Sequence, residues 1–491
     1  MEPLHTNITG KKNRPIKVVQ FGEGNFLRAF VDYMIDIANE KGLFDGDIVL
    51  IKPIAFGSTE AFHEQGCQYT VSLRGIVEGQ AKVLDRQITS VRDIVDSVNE
   101  YDKYMALAEI DTLRFVVSNT TEAGIVFDST DRFDLAPAKS FPGKLTQFLY
   151  RRYTTFHGAV DKGLVMLPVE LIDDNGIMLK KCVNQLMELW GLEEGFKSWV
   201  NEACIFTSTL VDRIVTGYPR DTVEEEWAKL GYEDRLLVTG EPFALWVIES
   251  EKDIREELPL HEVMKDMPGM EVIYTDDQKP YKQRKVRILN GAHTSFVLAS
   301  FLCGHNIVLE SMNDPDVRAF IKKTVYEEVI PTLTLPKEEL KAFAAAVETR
   351  FENPYVKHAL LAISLNSVSK WRARCMPSLL GYVDKTGKLP VHLTFSLAAL
   401  MAFYTASELR EGKLVGHRGE EEYLISDDTA VLEFFAAHSS DRAEEFVAAF
   451  LSREDFWGRD LTQVAGLKAA VTAYLEDIQA NGMRAALCRT L

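Results

Sequence analysis

Cysteine is sparse. The six residues Cys67, Cys182, Cys204, Cys303, Cys375 and Cys488 are scattered over 491 positions without a CxxC pair. That scatter excludes a disulfide framework and a cysteine-built zinc cage, and it fits reduced thiols in the cytoplasm. Metal-binding histidine patterns are missing as well: the ten histidines include no HxH or HExxH spacing, and His63 with Cys67 lacks further ligands, so no metal site is expected. No window approaches the roughly 20 apolar residues that cross a bilayer, the most apolar stretch (395–404) being about half that length. The opening segment MEPLHTNITGKKNRP lacks the apolar core of a secretory signal. Positive charge is in deficit, 55 Lys and Arg against 73 Asp and Glu for a net of -18. This excludes nucleic acid and anionic membrane as partners, because both are recognised through clustered cations. An anionic small-molecule substrate would need a local cationic cluster. Oligomeric state stays open between monomer and small homo-oligomer.

What is present reads as an ordinary folded chain, 46% hydrophobic and 26% charged, with no low-complexity tract. Single cores stop growing at roughly 250–300 residues, so two domains are expected, with the boundary placed at 1–277 and 278–491. In the first, short β-branched runs alternate with helical patterns: IKVVQF (16–21), an amphipathic stretch to Lys41, then DIVLIKPIAF (47–56). Further strand candidates are 69–73, 113–119, 164–170, 203–209 and 235–241. This βαβ grammar predicts an α/β fold with a mostly parallel, doubly wound sheet. Beyond Asp277 the texture turns to long helical patterns such as VRAFIKKTVYEEVIPTL and KEELKAFAAAVETRF, which predicts a mainly α-helical second domain. The segment 411–428 reads as a surface loop.

Directly after the first strand comes Phe21-Gly22-Glu23-Gly24-Asn25-Phe26-Leu27-Arg28. A strand, a glycine turn and a helix start together form a phosphate site, since small residues let backbone N–H groups approach a pyrophosphate. The third glycine of GxGxxG is replaced by Leu27, so a tight turn without ligand is the competing reading. The second strand offers Lys52 where an acid commonly grips the ribose of NAD, which leaves NAD and NADP both open at this point.

The segment Arg284-Lys285-Val286-Arg287-Ile288-Leu289-Asn290-Gly291-Ala292-His293 opens the helical half. On an α-helix, Asn290 lies about 140° and His293 about 80° around the axis from Lys285, which gathers the three into one wide sector. Hydride transfer to a ketone needs a proton donor at the developing alkoxide and hydrogen-bond donors around it, and a lysine, an amide and an imidazole supply these. A surface lysine, a capping asparagine and a core histidine form the structural alternative.

The glycine turn FGEGNFLR, taken with KVRILNGAH (285–293), resembles the polyol-specific long-chain dehydrogenase/reductase family, also called the mannitol dehydrogenase family. SNTTEAGI (118–125) is similar to the family's segment after a later strand, and LVDRIV (210–215) to its signature with a Val-Asp-Arg-Ile core. The resemblance implies a Rossmann-type N-terminal domain, a helical C-terminal domain, no metal, and NAD as cofactor. The implied cofactor positions are Val19, Gln20, Phe21, Gly22, Glu23, Gly24, Asn25, Phe26, Leu27, Arg28, Asn119, Thr120 and Glu122. Lys285 is implied as general acid/base, Asn290 and His293 as groups orienting the substrate, and Glu170, Asp212 and Lys370 as further substrate positions. Two departures stand out. Glu170 and Leu171 occupy a neighbourhood where the family often has an Asp-Asn pair, and Ala362 stands eight positions before Lys370 where polyol-type members commonly have arginine. Both weigh against a polyol, and the wording QFGEGNFLRAFVDYM, with ELIDDNG and LNSVSK, resembles a branch of the family acting on hexuronate-derived keto acids, which implies a sugar acid whose carboxylate calls for Arg or Lys. The candidates are Lys370 first, then Lys357, His358, Arg372 and Arg374. A cofactor-binding sensor without catalysis is the rival, and it is disfavoured by the intact Lys285, Asn290 and His293.

Overall fold

The computed structural model describes residues 2–5, 11–121 and 123–491. By its internal contacts the chain separates into two compact units, Met1–Gln278 and Lys279–Leu491.

The first unit is built on β1 (Ile16–Phe21), β2 (Asp47–Lys52), β3 (Tyr69–Val77), β4 (Gln80–Ile88), β5 (Val91–Asp96), β6 (Phe115–Ser118), β7 (Val165–Pro168) and β8 (Ile205–Phe206). Six of these form one sheet in the order β5-β2-β1-β6-β7-β8, with every pairing parallel. Counted along the sheet alone, that is the 3-2-1-4-5-6 order of a doubly wound dinucleotide fold. The alternation of side chains explains why the central residues of these strands are mostly apolar on both faces. Val18, Ile48, Leu50, Val117 and Leu167 join one core, while Val19, Val49, Ile51, Val116 and Met166 join another on the opposite face. The helices Val31–Glu40, Phe141–Thr155 and Asn175–Leu189 supply the cover.

Several strands escape the sequence pattern. β3 contains the expected strand 69–73, but it pairs in a hairpin with β4, a strand the sequence pattern missed, whose residues are nearly all exposed or half-buried. The run 203–209 divides: β8 stays in the parallel sheet, whereas β9 (Ser208–Asp212) moves to a second sheet. Also in this unit are β10 (Val215–Gly217), β11 (Val238–Gly240), β12 (Ala244–Glu249) and β13 (Met270–Thr275).

The second unit is mainly helical. At its centre lie the helices Gly291–Leu302 and Val391–Tyr404, both apolar on nearly every side and buried almost throughout. Buried Glu328 fixes the start of the latter by accepting from the backbone N–H groups of His392 and Leu393, both at 2.8 Å. The expected loop at 411–428 is instead a small antiparallel sheet of β14 (Leu409–Arg410), β15 (Lys413–Arg418) and β16 (Glu421–Ile425). Its charged residues line the exposed face, and Leu414, Val415, Tyr423 and Ile425 are buried. Density of charge concealed that alternation.

Candidate active site

A cavity of about 700 Å³ opens at the carboxyl ends of β1, β2 and β6, and Gly22, Glu23, Gly24, Asn119 and Thr120 stand in its wall. This is the point where the strand order reverses, the place at which open α/β sheets bind ligands. Gly22 has φ +121°, and a Cβ there would lie 3.2 Å from Leu27 and 3.3 Å from the Asn119 carbonyl, so the fold itself requires glycine. Gly24 differs. A Cβ at that position would meet nothing within 4 Å. No protein neighbour calls for the missing side chain, and the open space beside exposed backbone suits a phosphate. The residues present therefore fit a dinucleotide.

The rest of the glycine segment supports the turn from behind. Val19 and Phe21 belong to the core, Leu27 packs in the opposite core, and Gln20 donates to the Gly22 carbonyl at 3.2 Å. Arg28 is turned inward: it donates to the carbonyl of Glu23 at 3.1 Å, to Asn25 Oδ1 at 2.6 Å and to the Leu236 carbonyl, and it lies over the rings of Tyr69 and Phe62. It braces the turn rather than meeting a ligand. Phe26 stacks on Phe30 at 4.9 Å. Glu122 lies outside the described residues.

Lys52 does not offer a charge to a ribose phosphate. Its ammonium is buried and donates to Asp96 Oδ2 at 2.9 Å and to the Ile54 carbonyl at 2.7 Å. Burial alone would raise the Asp96 carboxyl, but hydrogen bonds from Lys52, Asn99 and Val98 outweigh it and hold the group at about 2. Glu170 likewise departs from its expected role. It is buried, and its oxygens accept from Ser118 Oγ at 3.1 Å and from the Thr120 N–H and hydroxyl, both at 3.0 Å. The side chain shapes the Asn119–Thr120 wall of the cleft. Replacing Glu170 with alanine leaves those buried donors unmatched, which is expected to cost about 1–3 kcal/mol of stability. Thermal unfolding checks this, with nucleotide affinity falling alongside and KM for the sugar substrate unchanged at saturating nucleotide.

In the second unit, Lys285–Asn290 is a π-helix that runs into the α-helix Gly291–Leu302. Its i→i+5 bonding widens the turn, so five residues overshoot one turn only modestly and Asn290 comes round beneath Lys285, nearer than the α-helical angle implies. Lys285, Asn290 and His293 are half-exposed, while Ile288 and Leu289 anchor the segment in the core. Gly291 serves packing within this unit, since a Cβ there would stand 3.3 Å from the Arg374 carbonyl.

The His293 ring rests on Phe351 (centroids 4.3 Å apart) and edge-on to His358 (5.2 Å). Burial first, then the charges of His358, Arg350, Arg374 and Lys370, push the imidazole well below its ordinary value, so it is neutral at pH 7. Its Nε2 is buried without a hydrogen-bond partner among the described residues. Lys370 and Arg374 stand one turn apart on the helix Ser367–Arg374. Lys370 Nζ donates to the Ile363 carbonyl at 2.9 Å, and Arg374 donates to Thr294 Oγ1 at 3.3 Å. Of the other cationic candidates, Arg372 packs toward Phe456 and Gly458, and Lys357 is exposed. Asp212 ends β9, half-buried.

Sequence reasoning missed Arg213. This buried guanidinium donates to the carbonyls of Phe243, Ala29 and Pro242 and lies over Tyr33, so the arginine of the Asp212-Arg213 pair is structural strapping.

A cleft at this switch point marks the first unit as a dinucleotide-binding domain of the kind oxidoreductases acting on CH–OH groups use. The chain belongs to the mannitol dehydrogenase family: the mannitol dehydrogenase Rossmann domain matches residues 16–262 and the mannitol dehydrogenase C-terminal domain residues 277–479. It is 46% identical over 480 residues to an altronate oxidoreductase of Enterobacter sp. (strain 638), covering 96% of both chains. The altronate oxidoreductase of Escherichia coli (strain K12) is 45% identical over the same length and share. In fold the chain is similar to a substrate-free D-sorbitol dehydrogenase (TM-score 0.79, 20% identity, 99% of this chain and 100% of that one). It is also similar to Pseudomonas fluorescens mannitol 2-dehydrogenase in a ternary complex with NAD and D-mannitol (TM-score 0.67, 21% identity, 100% and 99%). Among the described residues no helix is long and apolar enough to cross a membrane, and no group of three or more His, Cys, Asp or Glu could hold a metal.

Proposed function

We propose that this protein interconverts D-tagaturonate and D-altronate, with NAD as the hydride carrier, in the cytoplasmic breakdown of hexuronates. The observation that carries the reading is the identity of 46% along 96% of both chains with an altronate oxidoreductase. The site chemistry supports it independently, because Lys285, Asn290 and a neutral His293 share their surroundings with the cations Lys370 and Arg374.

The cleft of the first unit holds the dinucleotide at Gly22, Glu23, Gly24, Asn119 and Thr120. A nicotinamide held by these residues would supply or accept the hydride at the carbon that is ketone in one substrate and alcohol in the other. Lys285 donates a proton to the ketone oxygen during reduction and removes it during oxidation. The Asn290 amide donates to the same oxygen and stabilises charge developing on it. Neutral His293 hydrogen-bonds a neighbouring hydroxyl through its unpartnered Nε2. Lys370 and Arg374 hold the carboxylate. The test is product analysis in both directions: NADH with D-tagaturonate is expected to give D-altronate, and D-altronate with NAD to give the keto acid. Absence of both products contradicts the reading.

A further inference from the structure

The wall of the cleft carries the carboxylate of Glu23, whose part in nucleotide binding is open, whereas Asp128 accepts from Thr130. In doubly wound nucleotide domains an acid after the second strand grips the ribose hydroxyls of NAD, and a nearby arginine accommodates the 2′-phosphate of NADP. Here the second strand ends in Lys52, whose ammonium is engaged by Asp96, and Asp96 also accepts from Asn99 and Val98. Neither charge is available to a ribose. Glu23 shares the cleft wall with Pro53 and Ile54, the two residues that follow Lys52. The backbone explains this placement, because the Gly22 N–H donates to the Ile51 carbonyl at 3.0 Å and sets the turn alongside the end of β2. Burial raises the Glu23 carboxyl above its ordinary value, its own N–H, Lys52 and Arg28 draw it down, and Asp96 opposes them. It thus sits within electrostatic reach of the ends of both β2 and β5. No other side chain among the described residues is hydrogen-bonded to it in the cleft. The cleft's cations, Lys139 and Lys144, stand at the start of the helix that follows β6, and Lys144 Nζ donates to the Lys139 carbonyl at 2.7 Å.

We propose that Glu23 selects NAD over NADP, its carboxylate accepting from the adenosine ribose hydroxyls and repelling a 2′-phosphate. The glycine turn itself thereby carries the acid that the second strand lacks. This inference rests on the dinucleotide reading of the cleft. The test titrates NADH and NADPH separately against the full-length wild type, Glu23→Gln and Glu23→Arg, reading dissociation constants. The wild type is expected to prefer NADH. Glu23→Gln weakens NADH about tenfold and leaves NADPH unchanged or tighter, as loss of a charge-assisted hydrogen bond requires. Glu23→Arg reverses the preference. Equal losses for both nucleotides, unchanged affinities in both variants, or a wild type preferring NADPH would each overturn the inference while leaving the dinucleotide cleft in place. A wild type that binds neither nucleotide overturns the cleft reading itself and the inference with it.

Discussion

Lys285→Ala is expected to lower turnover by about 10²–10⁴-fold while leaving NADH affinity unchanged. The lysine begins the π-helical segment, and the widened turn places the Asn290 amide beneath it, so removal of the ammonium leaves a hydrogen-bond donor at the ketone oxygen but no proton to give. His293 cannot substitute. With its Nε2 out of contact with solvent and cations around it, its imidazole is held well below its ordinary value and carries no extra proton at neutral pH. The measurement is NADH consumption at saturating keto acid, with nucleotide affinity measured in parallel by fluorescence. Turnover within a few-fold of wild type would remove Lys285 from the proton-transfer role.

Arg374→Gln carries the second large effect, a rise of about 10- to 100-fold in KM for the keto sugar acid with kcat largely kept, and no comparable change for a neutral ketose. Lys370 and Arg374 lie four residues apart on one helical face, an arrangement that repels in the absence of an anion. Both are shifted downward: burial and then Arg374 lower Lys370, and burial lowers Arg374. The acid that acts on Lys370 is Asp427, which already accepts from the Tyr404 hydroxyl at 2.6 Å. Two partly desolvated cations beside a neutral histidine, in a chain of net charge -18, are therefore poised for a carboxylate. Steady-state kinetics with a keto sugar acid and with fructose separate this role from a structural one, because a merely structural residue would affect both substrates alike.

The parallel sheet was legible because strands buried on both faces are rich in apolar, β-branched residues, and β1 was bounded correctly from IKVVQF alone. Strands with one wet face were not. β4 alternates exposed and half-buried residues without an apolar face, and β14 to β16 carry so many charges that their period-two pattern reads as a loop. The glycine turn announced itself through residue type, but the roles of its neighbours depended on partners far away in sequence: Arg28 on Leu236, Lys52 on Asp96, Glu170 on Ser118 and Thr120. A single chain gives no signal for such pairings, so charged residues near the turn read as ligand contacts when several are bracing groups. The segment with Lys285 and Asn290 was read as an α-helix and is a π-helix, because nothing in the residue types marks a change from i→i+4 to i→i+5 bonding.

The most direct measurement follows NADH absorbance while the purified protein is offered D-tagaturonate, D-fructuronate and D-fructose in turn, comparing kcat/KM. The highest value with D-tagaturonate, and a far lower one with the neutral D-fructose, is the expected result. A preference for D-fructose would contradict the carboxylate site, a preference for D-fructuronate would contradict the substrate assignment, and no oxidation of NADH with any of the three would contradict the proposed function.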